Sequence, residues 1–310
     1  MGIGLLFPGQ GSQFVGMGRD LAEAFPEARR TFEEADDALG DDLSRLCWEG
    51  PEAELTLTAN AQPAILVHSV AVWRVVSAAV PAVTMAAGHS LGEFSAYVAA
   101  GSLEFADAVR TVRRRGELML RSGEARPGTM AAVLGLDDAV VEAVCAEASR
   151  RGAGVAVAAN FNAPGQVVIS GDVAAVRWAE EGMKAAGARR VLPLNVSGAF
   201  HSPLMRVAEE GLGAQLDSVT LRDPGFPVVS NVTAQPVHDA ATARRLLLDQ
   251  LTSAVRWVAS VEVMRAAGIE SFLEFGPGNV LTGLLKRIDR AAAGRALGTA
   301  DEARNFLAEG

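Results

Sequence analysis

Ser90 lies between two glycines in the sequence GHSLGE, residues 88–93, where an apolar run gives way to a helical pattern. A serine in a G-x-S-x-G motif on a strand-to-helix turn is typical of a nucleophile elbow, whose flanking positions leave no room for a Cβ atom. The helix that follows, residues 91–100, places its N-terminal N–H groups and positive dipole end next to the serine, which favours a developing oxyanion. The motif therefore predicts acyl chemistry at Ser90, although a chain with 32 glycines can also contain it by chance.

A serine nucleophile needs a base, and the chain offers four histidines. His89 is expected to leave the elbow in another direction, His68 to be a core residue of an apolar helix, and His238 to lie on the surface. His201 lies where the chain is expected to return from a subdomain, and such a junction borders a cleft. His201 is therefore the favoured base, which would take the Ser90 proton and later the proton of an incoming thiol. A structural histidine is the alternative. Spacing identifies no carboxylate for a triad, and a neutral group could orient the histidine instead.

Arg115 lies on the buried side of a predicted helix. On a helical wheel of residues 105–119 it falls within the apolar stripe, whereas Arg110, Arg113 and Arg114 point elsewhere. A buried guanidinium needs a partner, and its planar fork fits a carboxylate. The pattern leaves two interpretations, an internal salt bridge with an Asp or Glu and a clamp for a free carboxylate on an acyl group.

The order of predicted elements indicates an α/β fold with an inserted subdomain. Residues 3–7 form an early, central strand, and the alternation of strands and helices predicts a mainly parallel sheet with helices on both faces. From about residue 129 the order becomes β-α-β-β-α-β, the ferredoxin-like arrangement. We therefore expect a large α/β domain of residues 1–127 and 197–310 and a small ferredoxin-like α+β subdomain of residues 128–196. The later elements are expected to be a helix from about residue 202, strands at 226–230 and 271–275, and a final helix after residue 278.

The composition excludes several classes of protein. A chain of 310 residues with 49% hydrophobic residues can bury a large core, and a net charge of −9 argues against a nucleic-acid binder. Cys47 and Cys145 lie in no CxxC pair or Cys/His cluster, so no disulfide scaffold or metal site is expected and a reducing cytoplasm fits best. The longest apolar stretch, residues 61–87, is interrupted by polar residues and a proline, so no membrane span is expected, and neither is an export signal. The glycine-rich turns match neither G-x-G-x-x-G nor a Walker A pattern, which argues against nucleotide binding.

Together the motifs of the chain resemble the malonyl-CoA:acyl carrier protein transacylase family, which includes the acyltransferases of polyketide synthases. The resemblance covers nearly the whole chain, and a series of motifs in order is far more specific than any single one. The motifs that carry it are FPGQGSQ at 7–13, QPA at 62–64, GHSLGE at 88–93, RG at 115–116, NFNAPGQ at 160–166, FHS at 200–202 and GPG at 276–278. Family members have a hydrolase-like core with an inserted ferredoxin-like subdomain, which agrees with the order of elements.

The resemblance implies a role for each matching residue. Ser90 would be the nucleophile and His201 the base, and Arg115 would hold the malonyl carboxylate. The backbone N–H groups of Gln10 and Leu91 would form the oxyanion hole, in which the loss of one donor typically costs about a hundred- to a thousand-fold in rate.

The same resemblance implies how the histidine is oriented and how the acyl group is chosen. Gln250 matches the family glutamine whose backbone carbonyl orients the histidine, which would explain why no triad carboxylate is evident. Gln62, in the QPA motif, is expected to bind substrate. Leu91 and Phe200 resemble the malonyl-selective pattern, since a bulky Phe200 would crowd an α-methyl branch. Gly198 departs from that pattern, which often has a histidine there, and leaves room for a different or larger acyl group.

The leading hypothesis is a ping-pong acyltransferase. Malonyl-CoA would acylate Ser90, CoA would leave, and the phosphopantetheine thiol of an acyl carrier protein would take the malonyl group. No metal or redox cofactor is expected, since the CoA thioester and the phosphopantetheine arrive with the substrates. The alternatives are a discrete polyketide acyltransferase with a different acyl donor, including carrier-to-carrier transfer, an editing acyl hydrolase, and a non-catalytic scaffold. Fatty acid and polyketide synthesis share these motifs.

Carrier proteins of this kind are usually acidic, as is this chain, so docking is expected to depend on local cations. A solvated surface is the alternative interpretation of each basic pair. The candidate docking residues are Arg113, Arg114, Arg150, Arg151, Arg189, Arg190, Lys286 and Arg287.

Overall fold

The computed structural model describes residues 2–152 and 154–309, which form two β-sheets with helices packed around them. The strands are β1 Ile3–Phe7, β2 Val83–Gly88, β3 Gly128–Leu134, β4 Ala156–Ala163, β5 Gln166–Asp172, β6 Arg190–Pro193, β7 Val228–Val229, β8 Pro236–Val237, β9 Ser271–Phe275 and β10 Ala293–Leu297.

The larger sheet has six strands in the order β10-β9-β1-β2-β7-β8, and all neighbours run parallel except β7 and β8. Strand β1 lies between β9 and β2, as its early apolar run predicted, and Leu5, Leu6 and Phe7 have no exposed surface. Phe7 is paired with Gly88, so the turns that follow β1 and β2 meet at the carboxyl edge of the sheet. This edge is where open α/β sheets place their ligands.

The smaller sheet is antiparallel, with the order β4-β5-β3-β6, and it occupies Gly128–Pro193, inside the predicted 128–196 segment. Side chains alternate between its two faces, as in any strand. Ala131 and Val133 pack with the helices that follow β3 and β5, whereas Met130 joins the main core of the molecule. One face of the smaller sheet is therefore turned toward the larger one, and the predicted α/β fold with a separate antiparallel sheet is confirmed.

The helices cover both faces of the larger sheet and the outer face of the smaller one. None of those in the described residues combines the length and the apolar composition needed to cross a bilayer. The helices are α1 Arg19–Ala24, α2 Pro26–Leu39, α3 Leu43–Glu49, α4 Glu52–Leu55, α5 Thr58–Val76, α6 Gly92–Ala99, α7 Phe105–Ala125, α8 Asp138–Arg150, α9 Val173–Ala185, α10 Glu209–Asp217, α11 Ala240–Asp249, α12 Trp257–Ala266, α13 Val280–Ile288 and α14 Ala300–Glu309.

The C-terminal third differs from its predicted elements in four places, one of which is the unpredicted two-residue strand β8. The helix expected from about Ser202 begins as a 3₁₀ segment, Pro203–Ala208, before α10, and Ser202 caps it by accepting a hydrogen bond from Leu204 N. The strand expected at 226–230 shortens to β7, because Pro227 has no N–H to donate to a neighbouring strand. The helix expected to be the last, α13, is followed by β10 and α14. Strand β10 is a largely exposed edge strand rich in Ala and Gly, so it lacks the apolar pattern by which strands are predicted.

Candidate active site

The turn between β2 and α6 has the geometry of a nucleophile elbow. Ser90 has a φ of 51°, in the left-handed region that non-glycine residues seldom adopt. A Cβ atom on Gly88 would lie 1.9 Å from the backbone of Gly92, and one on Gly92 would lie 2.0 Å from the carbonyl oxygen of Phe7. The two glycines are therefore required by backbone contacts, as the motif predicted, and they hold α6 against β1.

His201 lies within hydrogen-bond distance of the serine, as the sequence predicted. Its Nε2 is 2.7 Å from Ser90 Oγ, and its Nδ1 is 3.0 Å from the carbonyl oxygen of Gln250 and 3.2 Å from that of Ser253. Since carbonyls only accept hydrogen bonds, Nδ1 carries the proton and Nε2 is free to accept the proton of the hydroxyl. Burial and the positive charge of Arg115 lower the pKa of His201 to about 3, so the imidazole is neutral at physiological pH.

Arg115 on α7 is buried against the same serine. Its side chain is 1% exposed, and Nη2 donates to Ser90 Oγ at 3.2 Å and to Gln250 Oε1 at 2.9 Å. Nη1 donates to Gln62 Oε1 at 2.6 Å, and Gln62 is itself fixed by Thr58. Burial lowers the pKa of Arg115 to about 10, which leaves the guanidinium charged at neutral pH. The helical periodicity thus predicted correctly that Arg115 lies on the buried side of α7. Its hydrogen-bond partners Gln62, Ser90 and Gln250 are all neutral.

Gln250 contacts the site through both its backbone and its side chain. The carbonyl oxygen accepts from His201, as the resemblance implied, while the amide oxygen accepts from Arg115. Its Nε2 donates to the carbonyl oxygen of Ser90 at 3.1 Å and to Glu93 Oε2 at 2.6 Å. The side-chain contacts were not predicted from the sequence, because they join residues more than 130 positions apart.

A cavity of about 430 Å³ opens above these residues, between the two sheets. Gln10, Leu91 and Phe200 line it on one side, and residues of β3, β4 and β5 line it on the other. Gly198 is buried and, in the described chain, is not part of the lining. A Cβ atom on Gly198 would lie 3.3 Å from the ring of Phe200, so the glycine packs behind that ring. Any extra room that it leaves is at the back of Phe200, away from the cavity.

The remaining histidines lie where the sequence predicted. His89 Nε2 is 2.8 Å from Asn162 Oδ1 on β4, and its ring lies against Trp257. His68 is buried in α5 with Nε2 2.8 Å from the carbonyl oxygen of Gly298, and burial lowers its pKa to about 4. His238 is exposed.

Two buried polar residues next to the elbow, Asn231 and Glu93, contact the site in ways that the sequence motifs do not predict. Asn231 Oδ1 accepts from Ser90 N and Asn231 Nδ2 donates to the carbonyl oxygen of Gly88, both at 2.7 Å. Glu93 Oε2 accepts from Gln250 and from Asn231 N. Burial raises the pKa of Glu93 to about 7, against the effect of those hydrogen bonds and of Arg115. The signal for Asn231 was its place directly after a predicted strand, and the signal for Glu93 was a carboxylate within an apolar helix.

The low pKa of His201 leads to a testable pH dependence. Protonation of Nε2 would block proton transfer from Ser90, but with a pKa of about 3 this protonation lies outside the ordinary range. We expect the rate at which a small neutral fluorophosphonate modifies Ser90 to stay constant from about pH 8 to about pH 5. The Arg115→Ala variant, which lacks the nearby positive charge, is expected to shift the inflection to higher pH. An inflection near pH 6.5, the ordinary value, in the unmodified protein would contradict this assignment.

Comparison with known proteins gives a consistent result. The family model described as the acyl transferase domain matches residues 5–299. The malonyl CoA-acyl carrier protein transacylase of Bacillus subtilis is 48% identical over 288 residues, which are 93% of this chain and 90% of that protein. The transacylase of the same name from Escherichia coli is 48% identical over 286 residues, 91% of each.

Solved structures are similar over their whole length. An acyl carrier protein S-malonyltransferase from Vibrio cholerae has a TM-score of 0.95 at 42% identity, covering 98% of this chain and 99% of that one. A malonyl-transacylase solved in complex with a type II PKS acyl-carrier protein also has a TM-score of 0.95, at 43% identity, and covers 100% of both chains. The family predicted from the motifs is therefore confirmed, and this chain belongs to the acyl transferase domain family, among the malonyl CoA-acyl carrier protein transacylases.

Proposed function

We propose that this protein transfers a malonyl group from malonyl-CoA to the phosphopantetheine thiol of an acyl carrier protein, in fatty acid or polyketide synthesis. The observation that carries the proposal is the buried guanidinium of Arg115, whose Nη2 lies 3.2 Å from Ser90 Oγ. In the described chain none of its hydrogen-bond partners is a carboxylate. A cation in this position suits the free carboxylate of a dicarboxylic acyl group that is bound to the serine. The names of the relatives support the same donor and acceptor.

The first half-reaction acylates the serine. His201 Nε2 takes the proton of Ser90 Oγ as the oxygen attacks the thioester carbonyl. The C–S bond then breaks, and the CoA sulfur leaves with the proton that His201 holds. The backbone N–H groups of Gln10 and Leu91, which line the cavity on the side of Ser90, would stabilise the oxyanion between these two events.

The second half-reaction uses the same groups in reverse. The phosphopantetheine thiol gives its proton to His201 Nε2, and its sulfur attacks the carbonyl carbon of the acyl-serine. The C–O bond to Ser90 breaks, and Oγ recovers the proton from the imidazole. Every step uses groups of the chain, of the CoA thioester or of the phosphopantetheine thiol, so no bound cofactor is part of the proposed reaction.

We also propose that the protein acts in the cytoplasm, a location that suits the buried, free thiols of Cys47 and Cys145.

The cavity walls suit a small acyl group. Leu91 and Phe200 lie on the wall next to Ser90, and we propose that the Phe200 ring limits the space around the α-carbon of the acyl chain. Since Gly198 packs behind this ring, it would affect the choice of acyl group only by letting the ring move. A malonyl preference is therefore part of the proposal.

Four of the predicted docking cations form what we call the basic patch, which consists of Arg189, Arg190, Lys286 and Arg287. All four are exposed, and in the described chain none of them forms a salt bridge. The two pairs lie close together because the neighbouring residues Gly165 and Gln166 connect them. Gly135, which packs against Arg189, donates to the Gly165 carbonyl, and Arg287 donates to the Gln166 side chain.

The other four predicted cations are already paired with carboxylates. Arg113 pairs with Asp41, and Arg114 pairs with Glu117. Arg150 and Arg151 share Glu147. A cation that is already paired with a carboxylate contributes little field beyond its own surroundings. We therefore propose the basic patch as the docking surface for an acidic carrier protein. The patch flanks the β4–β5 hairpin, and Asn160 and Asn162 of β4 line the cavity.

Reversing the charge of the basic patch with glutamate substitutions is expected to raise the KM for the carrier protein about tenfold or more, because cations in a docking surface accelerate association. Acylation by malonyl-CoA is expected to stay within about twofold of the original rate, since the patch lies outside the cavity lining. The matched control reverses Arg150 and Arg151, which already pair with Glu147. Equal carrier kinetics for the two charge-reversal variants would exclude the basic patch.

Initial rates measured while both substrates are varied test the proposed function itself. A covalent intermediate that forms before the carrier binds predicts parallel lines in double-reciprocal plots. Intersecting lines would contradict it. Malonate release in the absence of carrier protein separates transfer from hydrolysis, because a transferase is expected to release little acid until the thiol is added.

A further inference from the structure

We propose that Glu93 is a positioning residue for this reaction: its buried carboxylate fixes the orientation of the Gln250 amide, which in turn holds Arg115 for the acyl carboxylate. The inference rests on the proposed function, because it assigns a task to a residue behind the same site.

Glu93 is joined to the guanidinium through a single side chain. It lies on α6, three residues after Ser90, and has no exposed surface. Its Oε2 accepts from Gln250 Nε2 at 2.6 Å, and Gln250 Oε1 accepts from Arg115 Nη2 at 2.9 Å. Asn231 N donates to the same carboxylate oxygen at 3.2 Å. The two oxygen acceptors in this series of hydrogen bonds, Glu93 Oε2 and Gln250 Oε1, are thus each matched with a donor.

The chemistry of the groups leaves one orientation for the Gln250 amide. A carboxylate only accepts hydrogen bonds, so it takes the NH₂ end of the amide, and a guanidinium only donates, so it takes the oxygen end. The carbonyl oxygen of Ser90 accepts from Gln250 Nε2 at 3.1 Å and favours the same orientation, but the contact with Glu93, at 2.6 Å, is the shorter of the two. With a neutral side chain at position 93 that can itself donate, this shorter contact no longer selects the NH₂ end, and the amide can turn and present its NH₂ group to Arg115. Two donors would then face each other, and Arg115 would lose one of the three contacts that hold it in place.

Above its pKa of about 7, Glu93 also supplies a negative charge to the site without occupying the space in front of Arg115. Its negative charge opposes the lowering of the Arg115 pKa by burial, yet in the described chain it forms no direct ion pair with Arg115. A carboxylate in direct contact would compete with the substrate carboxylate for the guanidinium fork. Because Gln250 lies between the two, the cation is balanced while its donors still face Ser90.

The cost of burying this carboxylate argues against a space-filling role. Glu93 Oε1 is buried and has no hydrogen-bond partner among the described residues. Burying an incompletely bonded carboxylate is expensive, and an apolar side chain would fill the same space at lower cost. The presence of a carboxylate at this buried position of α6 is explained by what it does to Gln250 and Arg115.

Three reagents applied to the Glu93→Gln variant separate positioning from a general loss of structure. The measurements are the acylation of Ser90 by malonyl-CoA, its acylation by acetyl-CoA, and its modification by a neutral fluorophosphonate, all at a pH well above the Glu93 pKa of about 7. We expect the KM for malonyl-CoA to rise about tenfold, the typical effect of one hydrogen bond to a charged group. The two reagents without a free carboxylate are expected to react within about threefold of the original rate, since they do not use Arg115.

The matched control is Ser95→Ala, which removes from the same helix a buried hydroxyl that has no hydrogen-bond partner in residues 2–152 and 154–309. Equal losses with all three reagents, or no change with malonyl-CoA, would overturn the proposal. If the Gln variant does not fold, the unmodified protein replaces it, and the KM values for malonyl-CoA and acetyl-CoA are measured from about pH 8 to about pH 5. Protonation of Glu93, whose pKa is about 7, is expected to raise the KM for malonyl-CoA relative to that for acetyl-CoA as the pH falls, and a constant ratio overturns the proposal. An unmodified protein that reacts with the fluorophosphonate but not with malonyl-CoA would refute the proposed function, and the inference with it.

Discussion

The Ser90→Ala variant is expected to lose malonyl transfer by about 10⁴-fold or more, the range found when a nucleophile that works with a histidine base is removed. No other nucleophile is positioned by the described chain: Ser90 Oγ alone lies between the His201 imidazole at 2.7 Å and the Arg115 guanidinium at 3.2 Å. The measurement is malonylation of the carrier protein, followed by mass spectrometry at fixed enzyme concentration.

The fold is expected to survive this change, because among the described residues the hydroxyl makes only these two contacts, and the elbow backbone is fixed separately by Asn231. Circular dichroism and thermal unfolding provide the check. Ser95→Ala, on the helix that follows the elbow, serves as the control for removal of a buried hydroxyl. If the Ser90→Ala variant keeps transfer within about tenfold of the original rate, another group carries the acyl chain and the proposed mechanism is wrong.

The Arg115→Ala variant is expected to change which acyl group the enzyme accepts. Loss of a charge-assisted, forked contact with the malonyl carboxylate should lower kcat/KM for malonyl-CoA about a hundredfold or more. Acetyl-CoA has no free carboxylate, so its kcat/KM is expected to change by less than about threefold. The ratio of the two values is the measurement, since it cancels general losses of activity.

Arg114→Ala is the matched control, because Arg114 is the neighbouring residue on α7, half exposed and paired with Glu117. It should leave the ratio of malonyl to acetyl transfer unchanged. An Arg115→Ala variant that keeps its preference for malonyl-CoA would show that the guanidinium is a structural group. The other interpretation of the helical pattern, an internal salt bridge, would then require Arg115 to pair with an Asp or Glu in a rearranged site.

Local patterns were enough to predict the elbow and the buried arginine. The glycines at 88 and 92 are required by contacts within one strand-turn-helix unit and its neighbour, so their spacing carries the information. The 3.6-residue period places Arg115 on the inner face of α7 without knowledge of what it meets there. The apolar run of β1 likewise indicated a central strand, because only a strand buried on both faces has that composition.

Contacts between distant parts of the chain were not predictable in the same way. The resemblance to a known family pointed to the Gln250 carbonyl, but the Gln250 amide lies between Glu93 and Arg115 only because three helices and loops meet there. Asn231 reaches the elbow from the end of the two-residue strand β7, where little local pattern exists. Strand β10 is defined by its pairing with β9 and not by its own Ala- and Gly-rich sequence.

The proposed mechanism is tested most directly by acylating the protein with malonyl-CoA, removing free CoA, locating the adduct by peptide mass spectrometry, and then adding holo carrier protein. We expect one malonyl group on the peptide that contains Ser90, and we expect it to appear on the phosphopantetheine thiol as it disappears from the enzyme. An adduct on any other residue, or malonate released to water while the carrier protein stays unmodified, would contradict this mechanism.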